Sequence, residues 1–384
     1  MKKYDVIVIG AGPAGACTAY LLAKSGVRVL VIDKERFPRF KPCAGGLTVK
    51  TLKAFDFPIK EEIKFCTNSV VLAHKNQVFY QISGNKKLAG MVERQEFDHF
   101  LIKKAVDAGA EFLERVKVKG AVWENGEFSV ETEKEVFKSD YLVGADGANS
   151  VVNRVFKIVK KDLYGFAVET NCPVKKANIE NYNMTFDFGR IPGGYLWVFP
   201  KAQQLCVGAY TTKRKMEHIN LYLSDYIESL GLSPESDRFK GHIIPFYGIA
   251  YKQPEYPCIL VGDAAGFGDY WTGEGIYYAV KSGVITAETI ISSIKAASFQ
   301  YGLLQKRYDA EIIRSLKLAY LIGKTFYAHL PRSLDLLMLS LPSSFLYEGF
   351  AKGFTYDQII SKSYILFWDI IRNKSKISTK KYYR

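Results

Sequence analysis

Val6-Ile7-Val8-Ile9-Gly10-Ala11-Gly12-Pro13-Ala14-Gly15 places an apolar, β-branched run directly before three glycines in GxGxxG spacing. Tyr4–Ile9 predicts a strand buried on both faces of a parallel sheet. Pro13–Ser25 predicts a helix that starts on small residues and stops at Gly26. Val27–Ile32 predicts a second buried strand, ending in Asp33. This is one βαβ unit. Gly10 permits the tight turn, Gly12 lets the backbone approach a pyrophosphate, and Gly15 lets helix and strand pack closely. The helix N-terminus offers free N–H groups and partial positive charge to phosphates. Asp33 stands where an acid accepts hydrogen bonds from ribose hydroxyls, so the unit reads as dinucleotide-binding. A helix-starting turn plus a capping Asp is the competing reading, and it needs two coincidences.

Outward from this unit, residues 34–44 form a loop rich in Lys, Arg, Pro and Phe, and a helix is expected over roughly 46–54. Residues 65–82 alternate as two strands, and 93–108 carry the apolar spacing of a helix. Strand patterns return at 110–118, 121–124, 126–131 and 135–143, ending in Gly144-Ala145-Asp146-Gly147. An antiparallel sheet is expected over 164–210, a buried strand at 258–261, and a long helix from about Gly275 to Ala296. The chain beyond 300 is helical in pattern. The expected class is therefore α/β and α+β. A discontinuous Rossmann-like domain (1–64, 91–160 and 255–300) is interrupted by an antiparallel-sheet substrate domain (65–90 and 161–254), and a helical part follows (301–384).

The 384 residues carry 53 Lys+Arg against 39 Asp+Glu, a formal charge of +14, with 48% hydrophobic and 14% aromatic residues. Such a chain buries a sizeable core, which excludes disordered, collagen-like and low-complexity classes. The basic balance fits a polyanionic partner: nucleic acid, an anionic membrane surface or a phosphorylated ligand. Lys and Arg are scattered and no nucleic-acid reader motif is present, so no nucleic acid is expected. The cysteines at 17, 43, 66, 172, 206 and 258 form no CxxC pair, and the five histidines have no metal-ligand spacing, so no metal is expected. The start of the chain lacks the pattern of a signal peptide and no run is long enough for a membrane span. A cytoplasmic protein is expected.

Gly144-Ala-Asp146-Gly147 alone reads as a strand-to-helix turn with Asp as cap. Val261-Gly262-Asp263-Ala264-Ala265-Gly266 repeats the form, followed by Gly273-Glu274-Gly275-Ile276 at a helix start. GxGxxG with Asp33, Arg94-Gln-Glu-Phe97-Asp98, GADG, GDAAG and GEGI occur in that order, and together they resemble the para-hydroxybenzoate-hydroxylase-like flavoprotein fold. Lys41-Pro42-Cys43-Ala44-Gly45-Gly46 and Tyr195-Leu-Trp197-Val-Phe199-Pro200, with Gly208 beyond, further resemble the CxGG and YxWxFP…GxG signatures of FAD-dependent geranylgeranyl reductases. Two departures stand out: Tyr210 replaces the second Gly of GxG, and Asp269-Tyr270-Trp271 lacks the Pro usual before GEGI.

The resemblance implies FAD held by Gly10, Gly12, Ala14, Gly15, Asp33, Cys43, Ala44, Gly46, Arg94, Val118, Asp263, Gly275 and Ile276. It also implies a prenyl lipid as substrate. Cys43 is the catalytic candidate, as proton donor or pocket former, against the ordinary reading of a small core cysteine. Tyr195, Trp197 and Phe199 are expected to line the substrate path. Saturating an isolated C=C bond calls for a hydride, a proton and a dry tunnel, with no carboxylate dyad or nucleophile triad. The implied activity is reduction of geranylgeranyl chains in isoprenoid lipids. The alternative is a flavin monooxygenase or halogenase acting on an aromatic substrate, since Trp197 also fits a halogenase WxWxIP pattern. Only one GxGxxG unit is present, so no separate NAD(P)H domain is expected; the donor is NADPH, a ferredoxin or a quinol. Leu316–Phe350 is apolar and aromatic, which fits core packing or a helical lid resting on an anionic membrane surface.

Overall fold

In the computed structural model, Lys3–Ile9, Pro13–Lys24 and Val29–Ile32 form the strand, helix and strand of the βαβ unit. The structure describes residues 2–160, 162–214, 216–236, 238–246, 256–340 and 343–363. The basic tail 374–384, residues 247–254 of the expected substrate domain and residue 255 of the expected Rossmann-like domain lie outside that set.

The two buried strands belong to a seven-stranded sheet. Glu111–Leu113, Val29–Ile32, Lys3–Ile9 and Val136–Gly144 run parallel. The far edge of Val136–Gly144 forks: its first half pairs antiparallel with Glu127–Thr132, which pairs with Val118–Glu124, and its last residues pair in parallel with Cys258–Leu260. Ile9, Ile32, Gly144 and Leu260 thus end along one carboxyl edge, where open α/β sheets bind ligands. The helices Pro13–Lys24 and Ile276–Lys295 cross closely because Gly283 has no side chain; a β-carbon there would lie 2.6 Å from the Ala14 carbonyl oxygen.

A second seven-stranded sheet runs in the order Lys240–Pro245, Tyr164–Pro173, Gln204–Thr211, Gly194–Pro200, Met184–Phe188, Ser69–His74, Gln77–Ser83. It is antiparallel except at one seam, where Met184–Phe188 pairs in parallel with Ser69–His74. Parallel neighbours need a long crossover, and here the intervening chain supplies it.

The helix expected over 46–54 is corrected. Gly46–Thr48 is a strand paired with Ala89–Val92, and only Val49–Leu52 is helical, capped by the Thr48 hydroxyl. The run at 110–118 is also broken: Glu111–Leu113 is a strand, and Val118 opens the next one. The C-terminal part is helical, through Tyr301–Tyr308, a wide turn at Asp309–Ile313, Arg314–Ala328, Arg332–Ser340, Ser343–Lys352 and 356–363. Among the described residues, no helix is long and apolar enough to cross a membrane.

Candidate active site

A cavity of about 1100 Å³ opens along the carboxyl edge of the first sheet and continues between the second sheet and the C-terminal helices. Its first wall is the glycine turn. Gly10 has φ of +102°, and a β-carbon there would lie 2.3 Å from the Ala145 carbonyl oxygen. The Gly15 position is equally closed, 1.9 Å from the Gly10 carbonyl oxygen. Gly15 therefore seats the helix and does not face the cavity, whereas Gly10, Gly12 and Ala14 do. The helix begins on Gly12 without a side-chain cap, leaving its first N–H groups towards the cavity. Asp33 braces this turn: one carboxylate oxygen accepts the Ala11 N–H at 2.7 Å and the other the Glu35 N–H at 2.9 Å.

Facing the turn is a pair of arginines on one carboxylate. Asp98, fully buried, accepts two bonds of 2.8 Å from Arg94 and lies 3.0 Å from Arg39 Nη2. Burial opposes the Arg94 charge, but Asp98 and the hydrogen-bonded Cys43 raise it above its ordinary range. Two guanidinium groups on one carboxylate leave net positive charge. Arg39 Nη1 is also buried with no hydrogen-bond partner, and Arg39 Nη2 would lie 3.6 Å from a β-carbon at Gly12. An orphaned cationic donor above a glycine turn and a free helix start is a donor set for a pyrophosphate. The dinucleotide half of FAD fits these residues. The sequence does not single out Arg39; its signal there is the loop 34–44, rich in Lys, Arg, Pro and Phe.

Asp146 caps a helix: its Oδ2 accepts the N–H groups of Val151 at 2.6 Å and Val152 at 3.2 Å. Val118 lines the cavity from the first residue of its strand. Twelve residues apart in the chain, Asp263 and Gly275 meet, with Asp263 Oδ1 3.5 Å from the place of a Gly275 β-carbon. Gly275 precedes the uncapped helix Ile276–Lys295, and both Gly275 and Ile276 line the cavity.

The CxGG turn joins the two halves. Cys43 is half-buried on the cavity wall; its N–H donates to Glu169 Oε1 at 2.6 Å, and its Sγ accepts the Gly45 N–H at 3.4 Å. Burial pushes the Glu169 carboxyl up, against the pull of Lys201. Glu169 was another residue that sequence reading missed. Gly45 has φ of +75°, and a β-carbon there would lie 2.1 Å from the Val92 carbonyl oxygen. Gly46 abuts Phe199, whose Cε2 would lie 3.1 Å from a β-carbon at 46, and Ala44 lines the cavity beside it.

Tyr195, Trp197 and Phe199 alternate along one buried strand and share a face, as period-two geometry requires. All three line the cavity, with Phe186 packed edge-on between Tyr195 (5.2 Å) and Phe199 (5.4 Å). Gly208 pairs with Trp197, and a β-carbon there would lie 2.1 Å from the indole ring. The glycine makes room for that ring. The two departures from the signature pattern meet in space. Tyr210 donates to the Tyr270 carbonyl oxygen at 2.8 Å and packs beside Gly273. Tyr195 donates to the carbonyl oxygen of Thr272, Tyr327 to that of Trp271, and Tyr356 to buried Asp269. Four phenols thus pin the loop 269–273, and Glu274 is held by Lys50 at 2.6 Å and Thr48 at 2.9 Å.

A glycine turn on a parallel sheet, a pair of arginines facing it and an uncapped helix start along the same cavity fit an FAD-dependent oxidoreductase, the class that the relatives show. Residues 3–166 match the FAD binding domain family. An uncharacterized protein of Methanosarcina barkeri is 63% identical over 100% of this chain and 99% of its own length. The digeranylgeranylglycerophospholipid reductase of Methanocella arvoryzae is 30% identical over 82% of this chain and 84% of its own length. A geranylgeranyl bacteriochlorophyll reductase-like structure from Thermoplasma acidophilum superposes with a TM-score of 0.80 at 22% identity, covering 98% of this chain and 100% of that one. The chain belongs to the geranylgeranyl reductase family.

Proposed function

We propose that this reductase saturates C=C bonds in the geranylgeranyl chains of isoprenoid lipids, working peripherally at an anionic membrane surface. The observation that carries the proposal is the continuity of the cavity. Beyond the CxGG turn its wall changes from charged groups to Val70, Leu72, Met184, Phe186, Phe188 and Phe326. A prenyl chain offers only apolar surface, worth about 25 cal/mol per Å² buried, so a long apolar channel is the recognition such a substrate requires. A compact aromatic substrate would leave most of that channel without a partner. Relatives named for digeranylgeranylglycerophospholipid reduction support the same reading.

In this scheme the glycine turn, Asp33, Arg39, Arg94, Asp263 and the Gly275–Ile276 helix start hold FAD, with Val118 on the wall at the adenine end. Reduced flavin supplies the hydride. The CxGG turn and the Tyr195–Trp197–Phe199 face hold the alkene and exclude water, so orientation provides much of the rate. Cys43, whose side chain favours the Arg94 charge and whose backbone is anchored to Glu169, stands at the junction as proton donor or as the wall that shapes it. The channel residues Ile322, Phe350 and Ile360 lie on C-terminal helices, and Leu321 beside Ile322 and Leu336 on the helix Arg332–Ser340 are exposed; these would rest on the lipid surface.

The test is to incubate chemically reduced, FAD-loaded protein with a geranylgeranyl glycerophospholipid under anaerobic conditions and weigh the extracted lipid. Each saturated bond adds two hydrogen atoms. An unchanged lipid mass would overturn the proposal.

A further inference from the structure

Lys41 and His242 reach the cavity from different sides, one from the loop beyond Asp33 and the other from the edge strand Lys240–Pro245. Lys41 Nζ lies 2.7 Å from His242 Nε2, and that same nitrogen lies 3.6 Å from Asp263 Oδ2. Lys41 Nζ also lies 3.2 Å from His242 Nδ1, so the amine is seated against the imidazole ring. A largely buried amine beside an apolar channel is costly unless anions face it. Asp263, which also faces His242, is the nearby carboxylate that favours the amine's charge without offsetting its burial. A prenyl chain carries no anion. Reduction of a bound flavin creates one, because the two-electron reduced ring readily loses its second proton.

We propose that Lys41, seated by His242 and Asp263, is the positioning cation that stabilises the anionic reduced flavin and so raises its reduction potential. A fixed charge aimed at where charge develops, in a water-poor cavity, acts strongly and needs no reorganisation. The groups facing the amine come from four elements. Asp263 and Cys43 favour its charged form, Arg94 and Arg39 oppose it, and Glu169 on the neighbouring strand holds the Cys43 backbone. Burial outweighs the rest and brings the Lys41 ammonium down to about 8. The sign follows: the charge is present below about pH 8 and is lost as pH rises through it. This role concerns the cofactor alone and does not depend on which alkene is reduced.

The experiment uses FAD-loaded protein and two readouts that need no substrate: the flavin midpoint potential and the affinity of the flavin–sulfite adduct, each measured below and above pH 8. Lys41→Met is expected to lower the potential by about 30 mV below that pH, a tenfold change for a two-electron couple, and to weaken sulfite binding about tenfold. Lys41→Arg keeps its charge, so below pH 8 it matches the wild type, and above it the wild type falls below the arginine variant. A Lys41→Met protein with wild-type potential and sulfite affinity would overturn the proposal. If Lys41→Met fails to hold FAD, Lys41→Gln replaces it, and wild-type potential and sulfite affinity in that variant would overturn the proposal.

Discussion

A β-carbon at position 208 would lie 2.1 Å from the Trp197 ring, so the GxG half of the signature is a seat for the tryptophan half. Gly208→Ala is expected to cost about 1–3 kcal/mol through overpacking, read as a lowered Tm, and to raise KM for lipid as the ring shifts. An unchanged Tm would mean the ring has room the packing denies. At the phosphate end, Arg39 Nη1 is the buried donor without a partner. Arg39→Met removes a charge-assisted bond of about 2 kcal/mol, so FAD retention should weaken roughly thirtyfold. An FAD titration by fluorescence checks this, and wild-type affinity would remove Arg39 from the site. Glycines and motif residues were legible in the sequence because turns and alternation are local. Arg39, Lys41, Glu169 and His242 were not, because each acts through a partner far along the chain: Cys43 meets Glu169 across 126 residues, and Lys41 meets His242 across 201.

At the scale of elements, the same divide separates what was readable. The βαβ unit and the helix Ile276–Lys295 carry their own punctuation: a glycine start, apolar period and stop. Residues 46–48 do not; they became a strand because Ala89–Val92 offered an open edge, a tertiary choice that local propensity does not report. The loop 269–273 was visible only as a missing proline. Its rigidity comes instead from hydroxyls on two strands and two C-terminal helical segments, with Tyr356 tying 356–363 to fully buried Asp269 at 2.7 Å. Tyr356→Phe is expected to loosen this tie by about 1 kcal/mol, or more where the lost partner is a buried carboxyl. Faster amide exchange in 269–273 and in 356–363 together would show it; protection unchanged in both would refute the coupling.

At the scale of the whole molecule, the +14 charge and the aromatic excess of the sequence acquire places. Part of the positive charge is gathered as Arg39, Arg94 and Lys41 around the proposed cofactor half of the cavity, and aromatic rings from the second sheet and the C-terminal helices wall the other half. Exposed Leu321 and Leu336 lie on the C-terminal helices Arg314–Ala328 and Arg332–Ser340. Sedimentation with anionic vesicles should be measurable at low salt, fall as salt screens the charge, and weaken further in Leu321→Glu/Leu336→Glu. Binding that ignores both salt and these substitutions would contradict a peripheral docking face. With one GxGxxG unit in the chain, no separate NAD(P)H domain is expected, and the donor stays open among transiently bound NADPH, a ferredoxin and a quinol, with a donor other than NADPH favoured. Stopped-flow mixing with NADPH should leave the flavin oxidised on the timescale of turnover, and rapid bleaching would assign NADPH as donor.

The most direct test of a prenyl reductase is a single anaerobic turnover. FAD-loaded protein is photoreduced and mixed with a geranylgeranyl lipid in the absence of oxygen, and the oxidised-flavin absorbance is followed. Reoxidation is expected, with one double bond saturated per flavin. A flavin that stays reduced until oxygen is admitted, with no alkene consumed, would contradict it.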